Sequence, residues 1–281
     1  MNCIKLNNNV EMPILGFGVY RVEDYEECKK AILNAIEAGY RHIDTASIYL
    51  NEKAVGDAIK ESGINRKEMF ITTKLWIQDA DYDKAKKAFE MSIEKLGLDY
   101  LDLYLIHMPF GNYYAAWKAM EELYEAGYIR AIGCCNFYKD RLIDFASHTK
   151  ITPAINQIET HAFFQRWEEQ NLMKEYNITL ESWGPLAEGK NNIFNNEILK
   201  TIGKKYNKTI AQVILRWLTQ RNIPIIPKSV NKDRIIENSK IFDFTLDDND
   251  MNIIKTLDNN KNIIFLNDDA DFIKQLLKLK Y

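Results

Sequence analysis

The sequence predicts an α/β fold, a (β/α)8 barrel of the TIM type with an N-terminal β-hairpin, occupying residues 1–281 as one domain. Three observations predict it. Short apolar runs alternate with longer segments of helical periodicity, as in parallel strands covered by crossover helices. Eight such strand–helix units follow one another from "ILGFG" onward. A chain of 281 residues is also an ordinary length for a closed barrel of eight units, so it requires no second domain.

The elements follow in order. "CIKLNNNVEMP" reads as a two-stranded hairpin with Asn in the turn, and "ILGFG" as the first short apolar run. "DYEECKKAILNAIEAGY" has apolar residues at helical spacing and Gly39 at its end. "RHID" is a strand and "EKAVGDAIKES" a helix. "EMFITTK" is a strand, and "DYDKAKKAFEMSIEKLG" a helix with acidic residues at its start and Gly97 at its end. The pairs "YLDLYLIH" and "YYAAWKAMEELYEAG", "IRAIGCC" and "YKDRLIDFASH", "PAINQ" and "RWEEQNLMKEY" continue the alternation. "ITLESW" with "TIAQVILRWLTQR", and "IPIIPK" with "DRIIENSKI", complete it. "GKNNIFNN" is polar and turn-rich, hence a surface loop, and "DADFIKQLLKLKY" predicts one more helix.

Composition limits the function. Hydrophobic residues make up 46% and charged residues 27%, a globular balance, and the net charge of −3 is spread along the chain. A nucleic-acid or anionic-membrane surface needs a dominant basic field, so neither partner is expected. With no membrane-length apolar run and no apolar signal core at the N-terminus, a cytoplasmic location is expected. Cys3, Cys28, Cys134 and Cys135 show no metal-ligand spacing, so no metal is expected and the thiols are read as reduced. The adjacent Cys134 and Cys135 read as two small buried residues rather than a redox switch.

The informative feature is how the apolar runs end. Asp44, Lys74, His107, Asn136, Gln157, Trp183 and the pair Lys228–Ser229 close successive strands. In a parallel barrel these positions share the C-terminal face, where sites are built. Singly, each has an ordinary reading: an Asp capping a helix, a rim Lys, a core His, a packed Tyr. Together, Asp44, Tyr49, Lys74 and His107 come from adjacent units and can converge. A Lys ammonium beside a phenol favours phenolate. Bringing Tyr49 from about 10 toward about 7 needs roughly 4 kcal/mol of differential stabilisation. Asp44 would keep Lys74 charged, making Tyr49 a proton donor near neutral pH, and His107 could orient a carbonyl. Side chains supply no hydride, so a reduced nicotinamide is implied. Lys228 and Arg234 flank Ser229 in a strand-to-helix turn, which suits a phosphomonoester. No GxGxxG follows a strand, so a Rossmann site is unsupported.

These residues resemble the aldo-keto reductases from end to end. "MPILGFGVYRV", "YRHIDTASIYLNE" and "LDLYLIH" are similar to the family's signatures, "IRAIGCCNF", "INQIETH" and "ESWGPL" to further blocks, and "IPKSVNKDRIIEN" to its cofactor signature. The resemblance is nearest to bacterial members like the 2,5-diketo-gluconate reductases. It implies a (β/α)8 barrel that reduces carbonyls with NADPH, Tyr49 donating the proton, Lys74 and Asp44 tuning it, and His107 orienting the carbonyl. It implies that Asn136 and Gln157 bind the nicotinamide carboxamide beside Cys135, and that Trp183 stacks on the ring. Gly18, Val19, Asp44, Gly184 and Leu186 would also border the cofactor. Lys228, Ser229 and Arg234 would hold its 2′-phosphate, with Glu237 and Asn238 at the adenine.

The chain departs from the family pattern at Cys135, usually Ser, at Ala162, commonly Pro, and at Met108, commonly Trp. The loop "HMPFGNYYAAW" and the segment after Leu257 are short, which predicts an open pocket lined by Tyr20, Trp76, His107, Met108 and Phe110. The partner expected is a small carbonyl compound, and the assembly a monomer or weak homo-oligomer. The alternative is an NADPH-binding regulatory or sensor barrel with little turnover. A barrel hydrolase using paired carboxylates is disfavoured, because Asp44 is the one evident inward carboxylate.

Overall fold

A computed structural model describes residues 2–265 and 269–281. Strands β1 (Cys3–Lys5) and β2 (Glu11–Pro13) pair antiparallel, Cys3 opposite Pro13. Asn9 turns the hairpin with φ 68°, a left-handed conformation that Asn tolerates better than most residues. Leu6 and Met12 pack with Phe70, Leu103 and Ile155, and Asn8 Nδ2 donates to the Arg130 carbonyl beside a strand start. The hairpin therefore plugs the N-terminal end of the barrel and leaves the opposite end for chemistry.

Seven parallel strands form one sheet in chain order: β3 (Gly16–Gly18), β4 (His42–Asp44), β5 (Phe70–Leu75), β6 (Leu101–Ile106), β7 (Ile129–Cys135), β8 (Ile155–Glu159) and β9 (Thr179–Trp183). Between them lie α1 (Tyr25–Glu37), α2 (Glu52–Ser62), α3 (Tyr82–Leu96), α4 (Tyr113–Glu125), α5 (Lys139–His148) and α6 (Trp167–Glu175). Asp24 caps α1 by accepting from the Glu27 amide at 2.8 Å. Gly97 ends α3 in the left-handed region. Gly56 lets α2 press against α3, since a Cβ there would sit 2.2 Å from the Leu96 carbonyl oxygen.

The eighth strand, expected over "IPIIPK", is reduced to single parallel bridges from Ile225 to Leu15 and to Ser182. The reason is local: Pro224 and Pro227 have no N–H to give a ladder. Their carbonyls still accept, from Ser182 N at 2.8 Å and Gly18 N at 3.1 Å. Ile225 N donates to Ile14 O at 2.9 Å. These bonds join the sheet's two edges, so the barrel closes without a regular last strand.

Helices α8 (Ile210–Gln220), α9 (Lys232–Ser239) and α11 (Ala270–Leu276) fall where the periodicity places them. Two more were not expected. Helix α7 (Glu197–Tyr206) is capped by Asn196, and α10 (Asp248–Lys255) by Asp247. Neither follows an apolar strand, and Lys205 ties them together by bonding Asp247 at 2.5 Å and Asp250 at 2.8 Å. The polar "GKNNIFNN" stretch lies in 3-10 turns over Ala187–Asn195, in which Glu188, Asn191 and Asn192 are left-handed, and ends on Asn196, the cap of α7. Among the described residues no helix is long and apolar enough to cross a membrane.

Candidate active site

Four side chains meet at the C-terminal ends of β4, β5 and β6. Asp44 is the last residue of β4, and Tyr49 closes a 3-10 turn just beyond it (Ser47–Tyr49). Lys74 lies in β5, and His107 directly follows β6. Lys74 is wholly buried, and its Nζ donates to Asp44 Oδ1 at 2.5 Å and to the Thr45 carbonyl at 2.9 Å. The same Nζ lies 5.2 Å from the centre of the Tyr49 ring. Tyr49 Oη is 3.5 Å from His107 Nε2, the outer edge of hydrogen-bond range. An isolated ammonium could not survive this burial; the carboxylate and carbonyl contacts make it possible.

The electrostatics follow from burial. Burial works against the Lys74 charge, but Asp44, with a smaller contribution from Tyr49, reverses the balance and holds its pKa above the ordinary value. Burial, and then the Lys74 charge, push His107 well below the usual range, so at neutral pH it is an uncharged imidazole. Tyr49 departs from the lowered value expected from sequence. Burial raises its pKa, and Lys74 offsets only part of that. A phenolate held away from water costs more than the neighbouring cation returns. The hydroxyl accordingly keeps its proton at neutral pH.

The next strands bring in amides. Asn136 follows β7 with φ 63°; its Nδ2 donates to the His107 carbonyl at 3.1 Å, and its Oδ1 accepts from Trp183 Nε1 at 3.0 Å. Gln157 in β8 donates through Nε2 to Asp44 Oδ2 at 2.9 Å and to Glu181 Oε2 at 3.0 Å. Cys135 Sγ lies 3.9 Å from Gln157 Oε1. Burial holds both Cys134 and Cys135 thiols protonated, as two buried residues with no disulfide. Gly18 and Val19, at the end of β3, are buried, whereas Gly184 and Leu186, just past β9, are half-buried.

Lys228 and Arg234 are both exposed, and among the described residues neither has an ion-pair partner. They flank the start of α9, where Asn231 accepts from the Arg234 amide at 3.0 Å and Ser229 Oγ from the Asn231 amide at 3.1 Å. A helix N-terminus with two free cations is suited to a phosphate. Further along α9, Glu237 accepts from Thr209 Oγ1 at 2.8 Å, and Asn238 is buried.

The pocket differs from the open one expected. Tyr20 is 46% exposed, with its ring 5.0 Å from Tyr49. Trp76 is only 3% exposed: its ring sits edge-on to His107 at 5.1 Å, and its Nε1 donates to the Leu279 carbonyl at 2.9 Å. Phe265, Phe272, Leu276 and Tyr281 cluster with Trp76, Met108 and Trp183. Phe265, Phe272 and Leu276 thus pack over the side of the site that the sequence leads one to expect bare. Glu159 anchors the C-terminal segment, accepting from the amides of Ile263, Ile264 and Phe265 at 2.9 to 3.3 Å.

Sequence reasoning missed Glu159 and Glu181. Asp44 is therefore not the one inward carboxylate: Glu181 is fully buried and shares the Gln157 amide with it. The signal was in the alternation. Residues two apart on a strand face the same side, which places Glu181 with Trp183.

The sequence matches the pattern of the Aldo/keto reductase family over residues 15–259. The chain belongs to that family. A 9,11-endoperoxide prostaglandin H2 reductase of Trypanosoma cruzi is 47% identical over 264 residues, 93% of each chain. A glyoxal reductase of Bacillus subtilis is 47% identical over 261 residues, 92% of this chain and 94% of that one. Among solved structures, an aldo-keto reductase from a deep-sea metagenome library superposes with a TM-score of 0.93 at 45% identity, covering 95% of this chain and 99% of the other. One from Bombyx mori, solved in complex with NADP, gives 0.90 at 33% identity, covering 95% and 96%. As an aldo-keto reductase, the protein is an oxidoreductase that acts on carbonyl groups.

Proposed function

We propose that this aldo-keto reductase reduces small aldehydes and ketones to alcohols with NADPH, and that Tyr49 is the proton donor. One observation carries the reading: Tyr49 Oη lies 3.5 Å from His107 Nε2, while the Lys74 ammonium, held by Asp44, lies 5.2 Å from the centre of the same Tyr49 ring. Supporting it, the Bombyx mori relative was solved with NADP, and in this chain the exposed Lys228 and Arg234 at the start of α9 suit a phosphate. Lys228, Ser229 and Arg234 would hold the 2′-phosphate, and Glu237 and Asn238 would border the adenine. Gln157 Oε1, Asn136 and Cys135 would meet the carboxamide. Trp183 would cover the ring, and Gly18, Val19, Gly184 and Leu186 would leave room along the strand ends.

When bound, the reduced nicotinamide supplies a hydride to the carbonyl carbon. The protein's residues manage the oxygen. His107, uncharged, donates a hydrogen bond that orients the carbonyl. As negative charge grows on that oxygen, Tyr49 Oη passes its proton to it, since an alkoxide is far more basic than a phenolate. The phenolate left behind lies beside the Lys74 ammonium, whose position Asp44 fixes. Solvent then restores the Tyr49 proton. Tyr20, Trp76 and Met108 offer the substrate an apolar wall with few polar anchors.

The test is an assay of NADPH consumption with small aldehydes, glyoxal among them. Alcohol formed in step with NADPH consumed is expected; tight NADPH binding without consumption would make the chain a sensor instead. Cys135→Ser gives a second check. A hydroxyl is a stronger hydrogen-bond partner than a thiol. NADPH affinity, read from quenching of tryptophan fluorescence, should be equal or tighter in that variant; clear weakening would show that the thiol is specifically required.

A further inference from the structure

Glu181 lies in β9 two residues before Trp183, on the barrel's inner face, and its side chain is fully buried. Its Oε2 accepts from Gln157 Nε2 at 3.0 Å, and the same nitrogen donates to Asp44 Oδ2 at 2.9 Å. An amide nitrogen has two hydrogens, and here each has its own carboxyl oxygen. The amide cannot be turned round, because its oxygen would then face the ionised Asp44, an acceptor against an acceptor. Gln157 Oε1 therefore points away from both acids, and Cys135 Sγ is 3.9 Å from it. Glu181 Oε1, by contrast, has no hydrogen-bond partner among the described residues. The titratable and charged groups facing Glu181 are Asp44 on β4, Lys74 on β5 and Cys135 on β7. One cation thus serves two carboxyls.

We propose that Glu181 is a positioning residue of the nicotinamide subsite, which with Asp44 holds both amide hydrogens of Gln157 so that Oε1 is the atom offered to the cofactor, and which changes the charge of the barrel interior when it gains or loses its proton. This rests on the NADPH reading above. Burial, and then the Asp44 charge, raise its pKa to about 8, so near neutral pH it is mostly the uncharged acid. Once ionised, it places a second negative charge in the site. That charge favours the oxidised, cationic nicotinamide over the reduced, neutral one.

The experiment has two arms. With glutamate side-chain carboxyls labelled with carbon-13, NMR of the cofactor-free protein from about pH 6.5 to about pH 9.5 should show one carboxyl titrating near 8, absent from Glu181→Gln. That arm uses wild-type protein and needs no cofactor, so it stands even if the NADPH reading fails. In the second arm, NADP+ and NADPH dissociation constants are measured across the same range. Both cofactors carry the 2′-phosphate, so its own titration cancels in their ratio. In the wild type NADP+ should tighten relative to NADPH about threefold or more as the pH rises, and in Glu181→Gln the ratio should stay flat. Glu181→Leu, which leaves one amide hydrogen unpaired, should weaken both cofactors several-fold at every pH. No carboxyl titrating near 8, the same pH dependence in Glu181→Gln as in the wild type, or full affinity in Glu181→Leu would overturn the assignment. Failure of either cofactor to bind the wild type would overturn the NADPH reading instead.

Discussion

Replacing Tyr49 with Phe is expected to leave NADPH binding within about twofold and to cut kcat/KM for aldehyde reduction by roughly 10²- to 10⁴-fold, the usual contribution of a positioned proton donor. The substitution removes one oxygen and little else. The Tyr49 ring is held by Tyr20 at 5.0 Å and His107 at 5.5 Å, and Phe keeps both contacts. Among the described residues the lost hydroxyl has one hydrogen-bond contact, His107 Nε2 at 3.5 Å, so no strong bond to them is broken in the resting protein. Lys74 retains Asp44 and the Thr45 carbonyl. A fall in kcat with unchanged cofactor affinity is therefore attributable to the missing proton. Retention of most of the activity would show that the proton comes from elsewhere, His107 being the nearest candidate, and the Tyr49 assignment would be withdrawn.

The route from sequence to this site was legible where polarity interrupts an apolar pattern. Asp44, Lys74, His107, Asn136 and Gln157 each end a run that hydrophobic packing explains, and a parallel barrel gathers such ends on one face. Less legible were effects that need three dimensions. Burial raises the pKa of Tyr49, and the covering of Trp76, which borders His107, comes from Phe265, Phe272 and Tyr281, far away in the chain. Glu159 and Glu181 lie within strands, where a single carboxyl resembles an ordinary alternation; what distinguishes them is the amides that reach them from other elements. Helices α7 and α10 lacked the strand partner that revealed the others, and the last strand was misjudged because "IPIIPK" is apolar enough to be a strand while its prolines deny it a ladder.

Arg234→Ala should weaken NADPH by about 10- to 100-fold, about 1.4 to 2.8 kcal/mol, and change NADH affinity by less than about threefold. NADPH and NADH are alike except for the 2′-phosphate, so a residue holding that group must discriminate between them. Arg234 is exposed and unpaired among the described residues, so its loss strands no buried partner and costs the fold little. Its guanidinium can bind a phosphate by two parallel bonds, a geometry that Lys cannot reproduce. The contact is solvent-facing, so raising the salt should weaken NADPH more steeply in the wild type than in the variant. Lys232 provides the control: it lies on the same helix but is paired with Glu37 at 2.8 Å, so Lys232→Ala should leave both cofactors unchanged. Equal weakening of NADPH and NADH by Arg234→Ala would mean that the residue supports the helix or the adenine, and the 2′-phosphate site would have to be sought elsewhere.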